Sequence, residues 1–331
     1  MLKLLQSIFG SGFAGSNYSQ SMVKAAIEHS VDFTDPWIRL VTGYKKKLRP
    51  AVIRALDYVG ALVDAMPLPV MLDRKSYDND PRLRTYFISF DDMQKIIDGD
   101  QNLRNFRREH DEPLPRVYAL MVMDKQERAI LGVELSGDIV MHGVPQVTVS
   151  FDSHQFIDPC GDENETRLQL KHRALDHLLS LALRRITVVK TERVTLKRDR
   201  ALLRSKLDLL QRTGLGFSKA KTDEQIGIAD AEELLKKIEA ELIELGDDRI
   251  SEVYLDIVID VLSRPEKHFW RRKEKMIIDR MCIKRSVATD DVPEVTLDVI
   301  CDSEGTESVV SLVSLPDVGV NNNVKQNNFY L

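Results

Sequence analysis

The sequence predicts an α+β protein: two small antiparallel sheets with a long antiparallel helical (coiled-coil) hairpin inserted between them. Three observations predict it. Residues 164–245 keep a helical period of apolar residues without a proline, residues 117–151 and 275–315 change to a period of two, and opposite charge divides the two helical stretches.

The first helical arm is expected from Asn164 to about Arg212. No proline lies between Pro159 and Pro265 and no glycine between Gly161 and Gly214, so nothing breaks it. Asn164 is the expected N-cap, its side-chain oxygen accepting from an orphan N–H of the first turn. Apolar residues recur in steps of three and four at Leu175, Leu179, Ala182, Ile186, Val189, Leu196, Leu203, Leu207 and Leu210, with the series interrupted at Arg193 and Arg200. A mean spacing of about 3.5 keeps one stripe facing a partner helix over many turns. Unbroken, the arm is roughly 70 Å long at 1.5 Å per residue. The β-branched run Ile186-Thr187-Val188-Val189 is the one place where a kink or a short strand competes.

Thr213-Gly214-Leu215-Gly216 supplies the turn, since glycine tolerates the left-handed conformation that closes helices. A polar loop is expected to about Ala229. Asp230 with Glu233 three residues on matches a capping box and starts the second arm, which places Leu235, Ile238, Leu242 and Leu245 on one stripe and stops at Gly246. The first arm is basic: from Arg167 to Lys206 only Asp176, Glu192 and Asp199 oppose a run of arginines and lysines. From Asp223 to Asp260 only Lys236, Lys237 and Arg249 oppose the acids. Opposite charge beside an apolar seam selects the adjacent arm, or a second chain, as partner.

Elsewhere the elements follow in order. Residues 19–30 read as a short helix, and Pro36 opens a turn. Pro50 suits the first turn of a helix running to Met66, with Val52, Ile53, Leu56, Val59 and Val63 on one face. Ser89 caps a helix through Ile97 that Gly99 closes. Strands are expected at 117–123, 129–135 and 147–151, with turns at 124–127 and at Gly137-Asp138, forming a sheet with one wet face. Ile250, Val253, Tyr254, Ile257, Val258 and Val261 define an amphipathic helix ending before Pro265. A meander at 275–285, 294–302 and 308–315 follows, with a turn at Asp290-Asp291 that sets Cys282 nearly opposite Cys301. Serially, the chain divides into a flexible segment (1–18), an N-terminal α+β subdomain (19–160), the hairpin (161–247), a C-terminal helix plus β-meander (248–317) and a disordered tail (318–331).

Composition narrows the function classes. The 331 residues are 43% hydrophobic and 30% charged with a net charge of −5, which argues against general attraction to nucleic acid or anionic membrane. Three cysteines without a paired spacing point to a reducing compartment, and no run is apolar enough to span a bilayer, so a cytoplasmic location is expected. Residues 1–9 are too short and too weakly basic for a signal peptide. Gly10-Ser11-Gly12-Phe13-Ala14-Gly15 matches the dinucleotide fingerprint but lacks the strand before it and the packed helix after it, and Ser21-Met22-Val23-Lys24 matches S-x-x-K without its companion motifs. No cofactor and no metal are therefore expected.

Two polar clusters remain. Asp152, His154, Asp158 and Cys160 are residue types that ligate metals or do acid–base work, on what reads as a connecting loop over 152–163. Their spacing is that of no zinc site, and a solvated loop is the simpler reading. His172 and His177, five apart on a helix, fall on different faces. Trp270, Arg271, Arg272 and Lys273 lie in a basic–aromatic stretch, 264–275, suited to tracking a phosphate backbone. Glu266 and Glu274 interrupt it, and the acidic 289–307 segment is placed to neutralise it. The preferred expectation is a non-enzymatic interaction or scaffold protein, binding a protein partner or a second copy through the hairpin, with Arg193, Arg200, Leu203, Leu207, Leu235 and Leu242 on its seam. The alternatives are an enzyme of unknown class at 152–163 and nucleic-acid binding through 264–275.

Overall fold

Ser19 starts the first described helix by accepting the Met22 N–H at 3.2 Å, as an N-cap must. The computed structural model describes residues 18–110, 114–136, 139–213, 221–246, 249–289 and 292–316. The glycine fingerprint at 10–15, the N-terminal nine residues, the glycine turn beyond Thr213, the turns at 137–138 and 290–291 and the asparagine-rich tail lie outside these.

In chain order the elements are helix α1 (Gln20–Thr34), a 3-10 turn (Pro36–Leu40), helix α2 (Tyr44–Asp64), strand β1 (Val70–Met71), helices α3 (Arg74–Asn79), α4 (Pro81–Tyr86), α5 (Phe90–Gly99) and α6 (Gln101–Glu109), strands β2 (Val117–Ser136) and β3 (Ile139–Cys160), helices α7 (Glu163–Thr213), α8 (Lys221–Glu244) and α9 (Ile250–Ser263), and strands β4 (Phe269–Ile277), β5 (Glu294–Asp302) and β6 (Glu307–Leu315). No helix is long and apolar enough to cross a membrane among the described residues.

Several boundaries correct the sequence reading. Helix α2 begins at Tyr44, six residues before Pro50, because Gly43 at φ +74° accepts from the N–H groups of Lys46 and Lys47 and turns the chain into the helix early. Asp162, not Asn164, caps α7, its Oδ2 accepting the Glu165 N–H at 3.1 Å. Helix α7 runs 51 residues without a break. Through its β-branched run the Thr187 hydroxyl bonds back to the Leu183 carbonyl at 2.8 Å, leaving helical geometry intact. Helix α8 starts at Lys221, so Asp230 lies inside it and caps nothing.

By its internal contacts the chain divides into two units, each of two stretches: Met1–Asp57 with Leu175–Pro265, and Tyr58–Ala174 with Glu266–Leu331. In the first unit Val23, Ala26, Ile27 and Val31 of α1 are buried, as are Leu175, Leu178, Leu179, Ala182 and Ile186 of α7 and Tyr254, Leu255, Val258 and Leu262 of α9. Asp35, nearly buried, accepts the Trp37 N–H at 2.8 Å and pairs with Lys190, whose ammonium also lies over the Tyr254 ring. Leu207 of α7 and Ala231, Ile238 and Leu242 of α8 are buried, and Arg204 bridges Glu239 at 2.6 Å.

The second unit holds a single six-stranded sheet, ordered β3-β2-β6-β5-β4, with β1 running parallel beside the end of β6. The expectation of two sheets is corrected by β6. It pairs β2 from Val117↔Leu315 to Met123↔Val309 on one edge, and β5 from Asp298↔Val310 to Cys301↔Glu307 on the other. Its sequence explains the central place: Val309, Val310, Leu312, Val313 and Leu315 are apolar at both parities, so both faces are buried. Both faces of this part of the sheet are covered, correcting the expected wet face. Leu83, Tyr86, Met93, Ile97 and Leu103 of α4–α6 join one core with Met121, Leu297 and Val313, while Val63, Met66 and Leu170 join another with Leu120, Val310 and Leu312.

The sheet curls. Beyond β4 the chain returns to β3, where the Val149 N–H bonds the Cys282 carbonyl and the Lys284 N–H bonds the Val147 carbonyl, both at 2.8 Å. Lys125 of β2 meets Glu274 of β4 at 2.5 Å, although two strands separate them along the sheet. Strand β2 is continuous through 124–127, where the sequence suggested a turn, because β3 pairs it throughout, from Tyr118↔Cys160 to Ser136↔Ile139. Strand β4 begins at Phe269, six residues earlier than expected, so Cys301 pairs with Trp270 and Cys282 sits in the turn after β4.

Candidate functional site

The last ten residues of β3 carry the polar cluster that the sequence places on a loop. They are strand: β3 extends to Cys160, and only residues 161–162 connect it to α7. Two non-glycine residues with positive φ, Ser153 (57°) and Asp158 (51°), absorb irregular pairing here, the first beside the register shift between Val122 and Asp124.

Helix α6 fixes this stretch by its backbone. Asp100 is the N-cap, Oδ1 accepting the Leu103 N–H at 2.9 Å, while Oδ2 accepts the Phe156 N–H at 3.1 Å. Asn102 donates to the Phe156 carbonyl at 2.8 Å. Side chains of one helix thus replace a neighbouring strand along the outer edge of β3. The Phe156 side chain is fully buried.

Two hollows flank the clamp. The first, of about 620 Å³, is lined by Asp92, Asp100, Phe151, Asp152, Ser153 and His154 among others. His154 Nε2 lies 3.0 Å from the Tyr86 carbonyl, an acceptor, so Nε2 carries the proton and Nδ1 is the acceptor. The ring stacks on Phe87 with centroids 4.9 Å apart. Burial pushes its pKa below the usual histidine value, so the imidazole is neutral near pH 7. Ser153 is not hydrogen-bonded to that imidazole, so no nucleophile–base pair is assembled.

The second hollow, of about 490 Å³, holds Asp158, Gln155, Asn105, Glu109 and Arg173. Arg173 grips both Asp158 oxygens at 2.7 Å in a fork, so that carboxylate is committed to an ion pair. Cys160 lines neither hollow. Burial, then the nearby Glu165 charge, pushes its thiol up to about 11, which leaves it protonated and unreactive at neutral pH. The structure therefore brings Asp152 and His154 together, sends Asp158 to the neighbouring hollow and buries Cys160. Sequence reasoning missed Asp100, Asn102 and Arg173. Asp100 ahead of Leu103 is a legible cap, but its second bond to Phe156 joins residues 56 apart in the chain.

On the helices, Arg193, Arg200, Leu203 and Leu235 are half-buried and Leu207 and Leu242 are buried. In the basic–aromatic stretch, Trp270 packs against the sheet core. Arg271 meets Asp298 at 3.5 Å, Arg272 meets Glu307 at 2.8 Å and Lys275 meets Glu294 at 2.6 Å, while Lys273 is exposed beside Glu294 and Asp298. Carboxylates of β5 and β6 thus stand against most of its charges.

Comparison with protein-family models, curated proteins and solved structures returned no match.

Proposed function

We propose that the chain is a non-enzymatic protein–protein interaction protein whose binding element is a coiled-coil hairpin of α7 and α8. One observation carries this reading: α7 has a second heptad-spaced stripe that is exposed to solvent along its length. Residues 188, 191, 195, 198, 202, 205 and 209 step by three and four along α7, and every one is exposed. Val188, Leu202 and Leu209 are its apolar members. The stripe of Ile186, Val189, Arg193, Leu196, Arg200, Leu203 and Leu207 is buried or half-buried throughout. Large aliphatic side chains repeated at multiples of seven and more than half exposed on a helix cost solubility, and a partner helix is the economical reason for them. The absence of an assembled nucleophile–base pair beside His154 and the inert thiol of Cys160 favour binding over catalysis.

The test is quantitative capture with tagged full-length chain, with and without nuclease, against Leu202→Asp and Leu209→Asp variants. A stoichiometric, nuclease-resistant partner held by wild type and lost from both variants supports the reading. A partner held equally by all three, or released by nuclease, overturns it.

A further inference from the structure

The pairing of β2 stops short of its length. Strand β6 covers one edge only from Val117 to Met123, and among the described residues no strand pairs that edge from Asp124 to Ser136. The other side of the ribbon is treated differently: the outer edge of β3 is closed at 147–149 by residues 282–284 and at Phe156 by α6. The distal β2–β3 ribbon is therefore a two-stranded arm with an open edge, the arrangement that templates a further strand.

Its side chains are those of a covered surface. Register sets Ala129 opposite Val147, Leu131 opposite Pro145 and Val133 opposite His142, so these share one face. Leu131 is 77% exposed and Val133 53%. The same odd-numbered positions of β2 build the core at Val117, Ala119, Met121 and Met123. The pattern is interrupted at Lys125 and Glu127, which pair with Glu274 and Lys284, and then resumes with no core beneath it.

We propose that this arm is a homodimer interface, in which β2 pairs edge to edge and antiparallel with β2 of a second copy about a two-fold axis at Leu131. The sequence of the arm is complementary to itself about that residue. Arg128 and Glu134 stand three positions either side of Leu131, so the axis sets each copy's arginine opposite position 134 of the other. Leu131 meets Leu131, Ala129 meets Val133, and Ile130 meets Gly132 on the opposite face. No like charges face each other from 128 to 134, and cross-strand pairs of this kind are what stabilises an antiparallel ladder. The paired run is about 24 Å long at about 3.4 Å per residue, and an isologous contact of this sort closes at two copies, because each copy's β2 edge is used by the other.

The experiment is sedimentation velocity on the full chain across a concentration series. Wild type is expected to be a dimer. Leu131→Asp, on an exposed side chain, is expected to be a monomer with an unchanged circular dichroism spectrum, as loss of a central contact weakens association by about tenfold or more. Arg128→Glu is expected to weaken the dimer and Arg128→Glu with Glu134→Arg to restore it. In a Cys282→Ser background, Leu131→Cys is expected to oxidise to a linked dimer, since residues directly opposed across a ladder lie about 4.5–5.5 Å apart. Ala129→Cys, opposite Val133, is expected to give none. A wild-type monomer at every concentration, a dimer that survives Leu131→Asp, or a dimer dissociated by Leu202→Asp on α7 instead, would overturn the proposal.

Discussion

The side chain of Gln146 lies across Gly132. A β-carbon at position 132 would stand 1.9 Å from Gln146 Oε1, and Nε2 of the same amide donates to the Val133 carbonyl at 3.2 Å. Gln146 is thereby one of the few buried polar side chains of the ribbon. A glycine that looks like a flaw in a strand is the floor on which a buried amide rests.

The two positions are therefore coupled. Gly132→Ala displaces Gln146 and breaks a bond whose net value is about 1 kcal/mol. In a Gln146→Ala background the same change no longer meets that amide and is expected to be more favourable by about that amount. Urea unfolding of the four chains measures the coupling, and strictly additive effects would show that the amide is held by something else.

Asp100 serves α6 and β3 with different oxygens of one carboxylate. Asp100→Ala removes a cap and leaves the Phe156 N–H without its acceptor, a combined loss of about 2–3 kcal/mol. Asp100→Asn retains one side-chain oxygen and is expected to fall between. Chemical denaturation separates the three, and equal stabilities would contradict the double role.

His154 makes a pH prediction of definite sign. Its folded pKa lies below the unfolded value near 6.5 because burial penalises the imidazolium. The unfolded chain thus takes up this proton first, and the stability present above about pH 6.5 is lost as pH falls toward the folded value. His154→Gln keeps a donor for the Tyr86 carbonyl and removes the titration. Its stability is expected to change less than wild type's between pH 7 and 5, and parallel profiles would assign the decline to other groups.

The three thiols should differ in rate. Cys160 and Cys301 are buried and Cys282 is half-buried, and burial raises the pKa of each. A thiol-specific disulfide reagent at neutral pH is expected to label Cys282 first and slowly, and the other two only as urea unfolds the chain. Fast labelling of Cys160 in the native state would place it at the surface.

The sequence by itself determined whatever depends on neighbours a few positions apart. Ser89 caps α5, the unbroken period after residue 164 builds α7, the α9 stripe ends before Pro265, and Gly246 at φ +70° closes its turn, all through forces that act within a turn or two. Tertiary structure decided everything set by pairing between distant stretches. A period of two states that Val295, Leu297 and Val299 share a face but not which strand lies beside them, so β6 joined into one sheet what the sequence left as two. For the same reason the 152–160 segment read as loop: its polar residues satisfy no local pattern, and distant partners, among them β2 along its length and the side chains of Asp100 and Asn102 at α6, hold it extended. His154 shows the division in one residue. Its identity is in the sequence, but its neutrality follows from burial, the ring stacking on Phe87, which outweighs the opposite pull of a bond to the Tyr86 carbonyl, 68 positions away.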